Sequence, residues 1–262
     1  MTASDTRAPL GTAPASGAFA GAIRSLSDRF AAETAQLDPD HPIDSDAWPT
    51  VGAMVDHLGQ IQRWATEVVR TGASVDRAAF ARPADRERIA WFVEGSSALA
   101  TELESRDASD ECWAFVPSGT VGFWARRQAH EARKHLWDIR TASVAVPEMP
   151  DAGGHEMAAD IVDELYAVFL ARAVRGGLAP LPTPLELVPV DAAVAWHLAP
   201  DWTVRRTTDA AADPAATVVT ATLGDIALFA WDRAVPEDMP DRFAVTGSLA
   251  TVAAYRDAPV HP

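Results

Sequence analysis

Pro180-Leu181-Pro182-Thr183-Pro184 divides this sequence, because the residue pattern changes period across it. Three prolines in five positions fix three φ angles and remove three backbone donors, so neither a helix nor a central strand runs through. Upstream, apolar residues recur every three or four positions. Phe19, Ile23, Leu26 and Phe30 form one stripe of a helix over Phe19–Gln36, which stops in Asp38-Pro39-Asp40-His41-Pro42. Further helices are predicted over Thr50–Arg70, Asp85–Ser105, Val121–Thr141 and Glu156–Val174, the last closed by Gly176-Gly177. Long helices with short connections predict an up-down antiparallel bundle. Downstream, short runs predict strands over Leu185–Val190, Ala193–Leu198, Trp202–Thr207 and Thr217–Thr222, with helices over Leu223–Asp232 and Leu249–Tyr255. The expected fold is two-domain α+β. Residues 1–17 form a flexible tail, 18–178 the helical bundle, 179–185 a proline-rich linker and 186–262 a small α+β domain.

Composition narrows the function. The 262 residues are 48% hydrophobic and 23% charged, ordinary for a globular chain with a core. Arg and Lys total 22 against 37 Asp and Glu, a net charge of −15 that repels nucleic-acid backbones and anionic membrane surfaces. The single cysteine, Cys112, excludes an internal disulfide and a multi-cysteine metal cage, and points to a reducing, cytoplasmic setting. In Asp110-Glu111-Cys112-Trp113 the acidic neighbours oppose a reactive thiolate, so a structural thiol is expected. No apolar run reaches the ~20 residues of a membrane-spanning helix. The Ala/Pro/Ser/Thr/Gly-rich start has no apolar stretch of the kind a signal peptide needs.

The chemistry concentrates in Phe123-Trp124-Ala125-Arg126-Arg127-Gln128-Ala129-His130-Glu131-Ala132-Arg133-Lys134-His135-Leu136-Trp137-Asp138. In a zincin helix two histidines lie four apart. Here His130 and His135 are five apart, so at ~100° per residue they diverge by ~140° and cannot share an ion. Glu131 and His135 are four apart and share a face, a two-ligand platform for a divalent metal. The candidate third ligand is His57, one turn from both Met54 and Ile61, on a stripe directed at the bundle interior. The competing reading makes His57 a satisfied core histidine and Glu131 with His135 a surface pair. Three protein ligands would leave one tetrahedral position open, the arrangement of a catalytic rather than a structural zinc.

Val51-Gly52-Ala53-Met54-Val55-Asp56-His57-Leu58 and the stretch from Arg126 to Asp138 resemble the mycothiol-dependent maleylpyruvate isomerase family. The resemblance implies an actinobacterial protein with a DinB-like metal-binding bundle, followed by a small, sterol-carrier-like α+β domain. It implies that His57, Glu131 and His135 bind the metal, zinc or another divalent ion, and that mycothiol is the thiol cosubstrate. In isomerase members an arginine important for turnover follows a C-terminal helix that opens with a Gly-Ser-Leu-like turn. Here Gly247-Ser248-Leu249 leads to Tyr255, the same register lands on Pro259, and Arg256 is the nearby arginine.

A metal with an open position favours a bound thiol in its deprotonated form, and the thiolate attacks an electrophilic carbon. Two outcomes remain open: S-transfer to a small electrophile, or cis–trans isomerisation of maleylpyruvate to fumarylpyruvate. Arg256 and Arg233 are candidate catalytic residues on the second domain, and Arg127 and His130 candidates for meeting an anionic substrate. Asp138, one turn beyond His135, is a candidate to orient its ring. Trp64, Trp113, Trp124 and Trp137 are read as core. The rival from another class is a non-catalytic, metal-stabilised small-molecule binding protein. A monomer or weak homodimer, free of nucleic acid and membrane, is expected.

Overall fold

The computed structural model describes residues 16–43, 45, 47–144, 147–151, 153–208 and 213–260. The tail expected over residues 1–17 lies almost wholly outside them. The chain divides into two units, one ending at Gly153 and the other running from Gly154 to the C-terminus.

Among the described residues the first unit holds four α-helices, α1 (Ser16–Thr34), α2 (Val51–Thr71), α3 (Arg88–Glu104) and α4 (Val121–Arg140), with a short 3-10 helix over Arg77–Phe80 between α2 and α3. α1 packs on α3 and α4, and α2 packs on the same two, so each helix has two neighbours and the bundle closes around one core. Phe30, Met54, Leu58, Phe92, Leu99, Trp124 and Leu136 are fully buried there, each worth about 1.5–3 kcal/mol for an aliphatic or phenyl side chain removed from water. α2 starts sharply because the Thr50 hydroxyl accepts from the Ala53 N–H, and it ends where Gly72 takes a φ of 68°. Thr120 caps α4 in the same way, accepting from the Phe123 N–H. Gly59 lets α3 approach closely: a Cβ there would meet the Trp91 ring at 2.2 Å.

The second unit contains α5 (Gly154–Glu164), which continues through a π-helical stretch (Leu165–Leu170) into α6 (Ala171–Arg175). Among the described residues five strands follow: β1 (Leu185–Pro189), β2 (Ala195–Leu198), β3 (Val204–Thr207), β4 (Thr217–Ala221) and β5 (Ala244–Thr246), with α7 (Leu223–Ala230) and α8 (Leu249–Asp257). The sheet order is β3-β2-β1-β4-β5; β1 and β4 are parallel and the other pairs antiparallel. This is an α+β chain. Four strands lie in the runs read from sequence, trimmed by one or two residues at their ends. β5, three residues of alternating exposure, carries no hydrophobic pattern to reveal it.

The division between units differs from the sequence reading, which set the fifth helix in the bundle and the boundary at the proline-rich segment. α5 packs on α7 of its own unit. Its Asp163, 1% exposed, accepts from the Trp196 indole at 2.8 Å and pairs with Arg206 at 2.6 Å, and the Trp231 indole donates to the Ile161 carbonyl. A buried carboxylate must be paired, and the partners of Asp163 are on β2 and β3. That polar requirement outweighs the apolar stripe in deciding which unit owns the helix.

Candidate metal centre

The site lies within the first unit. α2 carries His57 two turns beyond its Thr50 cap, and the neighbouring Asp56 binds Arg82 and Arg88 at 2.6 and 3.0 Å, fixing α2 against the start of α3. α4 carries Glu131 and His135 on one face. One potential ligand atom from each of His57, Glu131 and His135 lies within 4.8 Å of the other two. Nε2 of His135 is 2.9 Å from Oε2 of Glu131, and the two imidazole rings stand perpendicular with centroids 5.0 Å apart.

Each ligand candidate is held from behind. Nδ1 of His135, a ring 2% exposed, lies 2.8 Å from Oδ2 of Asp138, a carboxylate that orients the ring from behind. Nε2 of the same ring is buried, and its close neighbour is Oε2 of Glu131 at 2.9 Å. His57 stacks flat on Trp48, centroids 3.6 Å apart at 24°, and the same indole meets His135 edge-on. Burial, then the nearby His135, pushes the His57 imidazole down to about 3, so it is neutral with a lone pair available at physiological pH. Burial alone would raise the Glu131 carboxyl. Arg127 and Lys134, with His135, overcome that and hold it well below the usual carboxylate range. Arg127 donates to Oε1 of Glu131, and Nζ of Lys134 is 3.6 Å from Oε2.

Two imidazoles, His57 neutral, and one ionised carboxylate, each with an outer partner or stacking wall, make a donor set that suits a divalent ion of intermediate softness. The strongest sign is that one potential ligand atom from each of three residues on two helices converges within 4.8 Å.

Residues 20–140 match the family model described as "Mycothiol maleylpyruvate isomerase N-terminal domain". That segment is similar to the mycothiol maleylpyruvate isomerase N-terminal domain. All three ligand candidates lie within it. Among solved structures, a mutant of the mycothiol-dependent maleylpyruvate isomerase is similar at TM-score 0.60 and 10% identity, and another crystal structure of that isomerase at 0.57 and 12%. Each likeness covers 91% of this chain and 98% of the other, and at these identities it concerns the fold. A search of curated proteins finds no match.

The remaining sequence candidates fall in different places. Asp138 and Arg127 touch the ligand set directly. His130, 0% exposed, points its ring at Phe19 with centroids 5.9 Å apart and is not in the donor group. In the second unit, Arg256 pairs with Asp232 at 3.0 Å, and Arg233 donates to the Trp231 carbonyl. Trp64, Trp113 and Trp124 form an edge-and-face cluster with Phe115 and Phe123. Cys112 is buried, and burial pushes its thiol up.

Sequence reasoning missed Trp48 and Lys134. Trp48 reaches His57 because the loop before α2 is pinched by a Pro42–Thr50 bridge and an Ile43 N–H to Pro49 carbonyl bond, a closure no helical period encodes. Lys134 had a signal: it is the one lysine of the chain, three residues after Glu131.

Proposed function

We propose that the chain is a mycothiol-dependent metalloenzyme that holds zinc, or another divalent ion, on His57, Glu131 and His135 and transfers the thiol sulfur to a small electrophile. The observation that carries the metal reading is the convergence inside 4.8 Å of one potential ligand atom each from His57, Glu131 and His135, with Nε2 of His135 2.9 Å from Oε2 of Glu131. The family model that residues 20–140 match supports mycothiol as the thiol. A bound divalent ion supplies one thing to this chemistry, stabilisation of the thiol in its ionised, nucleophilic form.

The chain's own residues set the rest. Asp138 fixes the His135 ring plane, Trp48 keeps the His57 ring from swinging, and Arg127 with Lys134 keeps Glu131 ionised. Among Glu131, Asp138, Arg127 and Lys134 the formal charges cancel, two negative against two positive. A divalent ion therefore leaves the centre at +2, a field that attracts a thiolate and an anionic electrophile together. In the reaction one sulfur–carbon bond forms, and either a leaving group departs or the electrophile's carbon takes up a proton.

In this reading the bundle is of the DinB-like kind and the second unit sterol-carrier-like. The protein works in the cytoplasm as a monomer or weak homodimer, without nucleic acid or membrane; among the described residues no helix is long and apolar enough to cross a membrane. Isomerisation of maleylpyruvate is the second reading, favoured by the name of the structural neighbours. The test is metal content by elemental mass spectrometry, followed by mycothiol with maleylpyruvate and with alkylating electrophiles. One metal per chain with mycothiol consumed supports S-transfer. Thiol-dependent conversion without thiol consumption supports the isomerase, and metal without any turnover returns the chain to a binding protein.

A further inference from the structure

The second unit contains a polar cluster that the metal centre does not use. β1 and β2 pair with Glu186 opposite His197, and β2 and β3 pair with His197 opposite Arg205. Opposed residues share a face of the sheet, so three strands set a carboxylate, an imidazole and a guanidinium in one row. Glu186 is 2% exposed, His197 8%. Nδ1 of His197 lies 3.4 Å from Oε1 of Glu186, and its Nε2 is 2.8 Å from the Thr207 hydroxyl. The other carboxylate oxygen, Oε2 of Glu186, is buried and has no hydrogen-bond partner among the described residues. Glu186, His197, Thr203, Arg205 and Asp213 line one cavity of about 330 Å³.

Leu185 and Leu187, on the opposite face of β1, are fully buried, and Glu186 itself is 2% exposed, so the strand is covered on both faces and the carboxylate sits where an apolar side chain would carry no polar cost. A buried carboxylate oxygen with no donor costs about 1–3 kcal/mol or more, so the glutamate calls for a donor from outside the chain. The cavity's formal charges, Glu186 and Asp213 against Arg205, sum to −1, which selects a cation over an anion. Two strand spacings set the backbones of Glu186 and Arg205 about 9.6 Å apart, and both side chains are long enough to meet a short ligand between them.

We infer that this cavity binds a small zwitterion with a primary ammonium group, its ammonium on Glu186 and its carboxylate on Arg205, as in a short α-amino acid. The inference does not rest on the metal centre or on the reaction proposed for it.

The test is NMR titration of the zinc-supplied full chain with L-alanine, ethylammonium and propionate, reading backbone amides of β1–β3 against a sodium chloride control. L-Alanine and ethylammonium are expected to give saturable shifts, and propionate none. Glu186→Gln should weaken both ligands by about tenfold or more. Arg205→Ala should weaken L-alanine about threefold and leave ethylammonium unchanged. Arg205 is exposed, so its variant keeps the fold, and the three-ligand comparison decides the matter even if Glu186→Gln does not fold. Absence of saturable shifts with ethylammonium, propionate binding as well as L-alanine, or unchanged affinities in a folded Glu186→Gln would each overturn the assignment.

Discussion

Replacing Asp138 with asparagine removes one charge 2.8 Å from Nδ1 of His135 while leaving an oxygen able to accept the same hydrogen bond. Both side chains are nearly solvent-free, at 2% and 3% exposure, so the charge acts in a poorly screened interior. A charge-assisted hydrogen bond is roughly twice as strong as a neutral one, and an ionised outer partner raises the basicity of a ligating imidazole. Loss of such a partner costs about 10- to 100-fold in metal affinity, or about 1.4–2.7 kcal/mol. Asparagine, which keeps an oxygen beside Nδ1, should fall near the low end. Alanine, which leaves the buried Nδ1 without that partner, should fall near the high end. The assay is competition between the zinc-loaded protein and a chelator of known affinity, with circular dichroism of each variant to show that α4 is intact. Zinc affinities within twofold of wild type for both variants would refute the role given to Asp138, and with it the reading of Nε2 as a metal donor.

His135→Ala and His57→Ala should each abolish stoichiometric zinc retention while the helical signal persists; full metal occupancy in either would remove that residue from the ligand set. Gly59→Ala should destabilise the first unit by about 1–3 kcal/mol, because its Cβ would meet the Trp91 ring at 2.2 Å, and denaturant unfolding reads this directly. Glu87 caps α3 by accepting from the Ile89 and Ala90 N–H groups; those bonds, Ala90 first, lower its carboxyl. Its folded value lies below its unfolded one, so its contribution is present above the ordinary glutamate range and fades as pH falls through the lowered value. Glu87→Ala should therefore cost about 0.5–1 kcal/mol at pH 7 and progressively less in acid, seen in urea midpoints at several pH values. Arg256→Ala should lower turnover of an anionic electrophile and leave zinc content unchanged; unaltered kinetics would confine Arg256 to its pair with Asp232.

What could be read from the sequence depended on whether one helical period carried the information. Glu131 and His135 share a face because they are four apart, and Asp138 falls three residues further on the same helix, so α4 showed its whole contribution in one segment. His57 needed a second step, from a stripe on α2 to the neighbour that faces it, which residue pattern alone left undecided against an ordinary core histidine. Trp48 lay outside any such logic: it stands on the His57 ring through a loop closed by the Pro42–Thr50 bridge, and no spacing announces that bridge. The same limit explains α5. Its apolar stripe fits a bundle as well as a sheet, and only the buried Asp163, answered by Trp196 and Arg206, assigns it. Both cases turn on polar or aromatic partners drawn from distant segments, Trp48 at the candidate metal centre and Asp163 in the second unit. A period finds the face of a helix, whereas the satisfaction of each buried polar atom decides what that face meets. Within the first unit, Nε2 of His135 is such an atom: it faces Oε2 of Glu131 at 2.9 Å with His57 beside them, and that convergence of three potential ligands carries the functional reading.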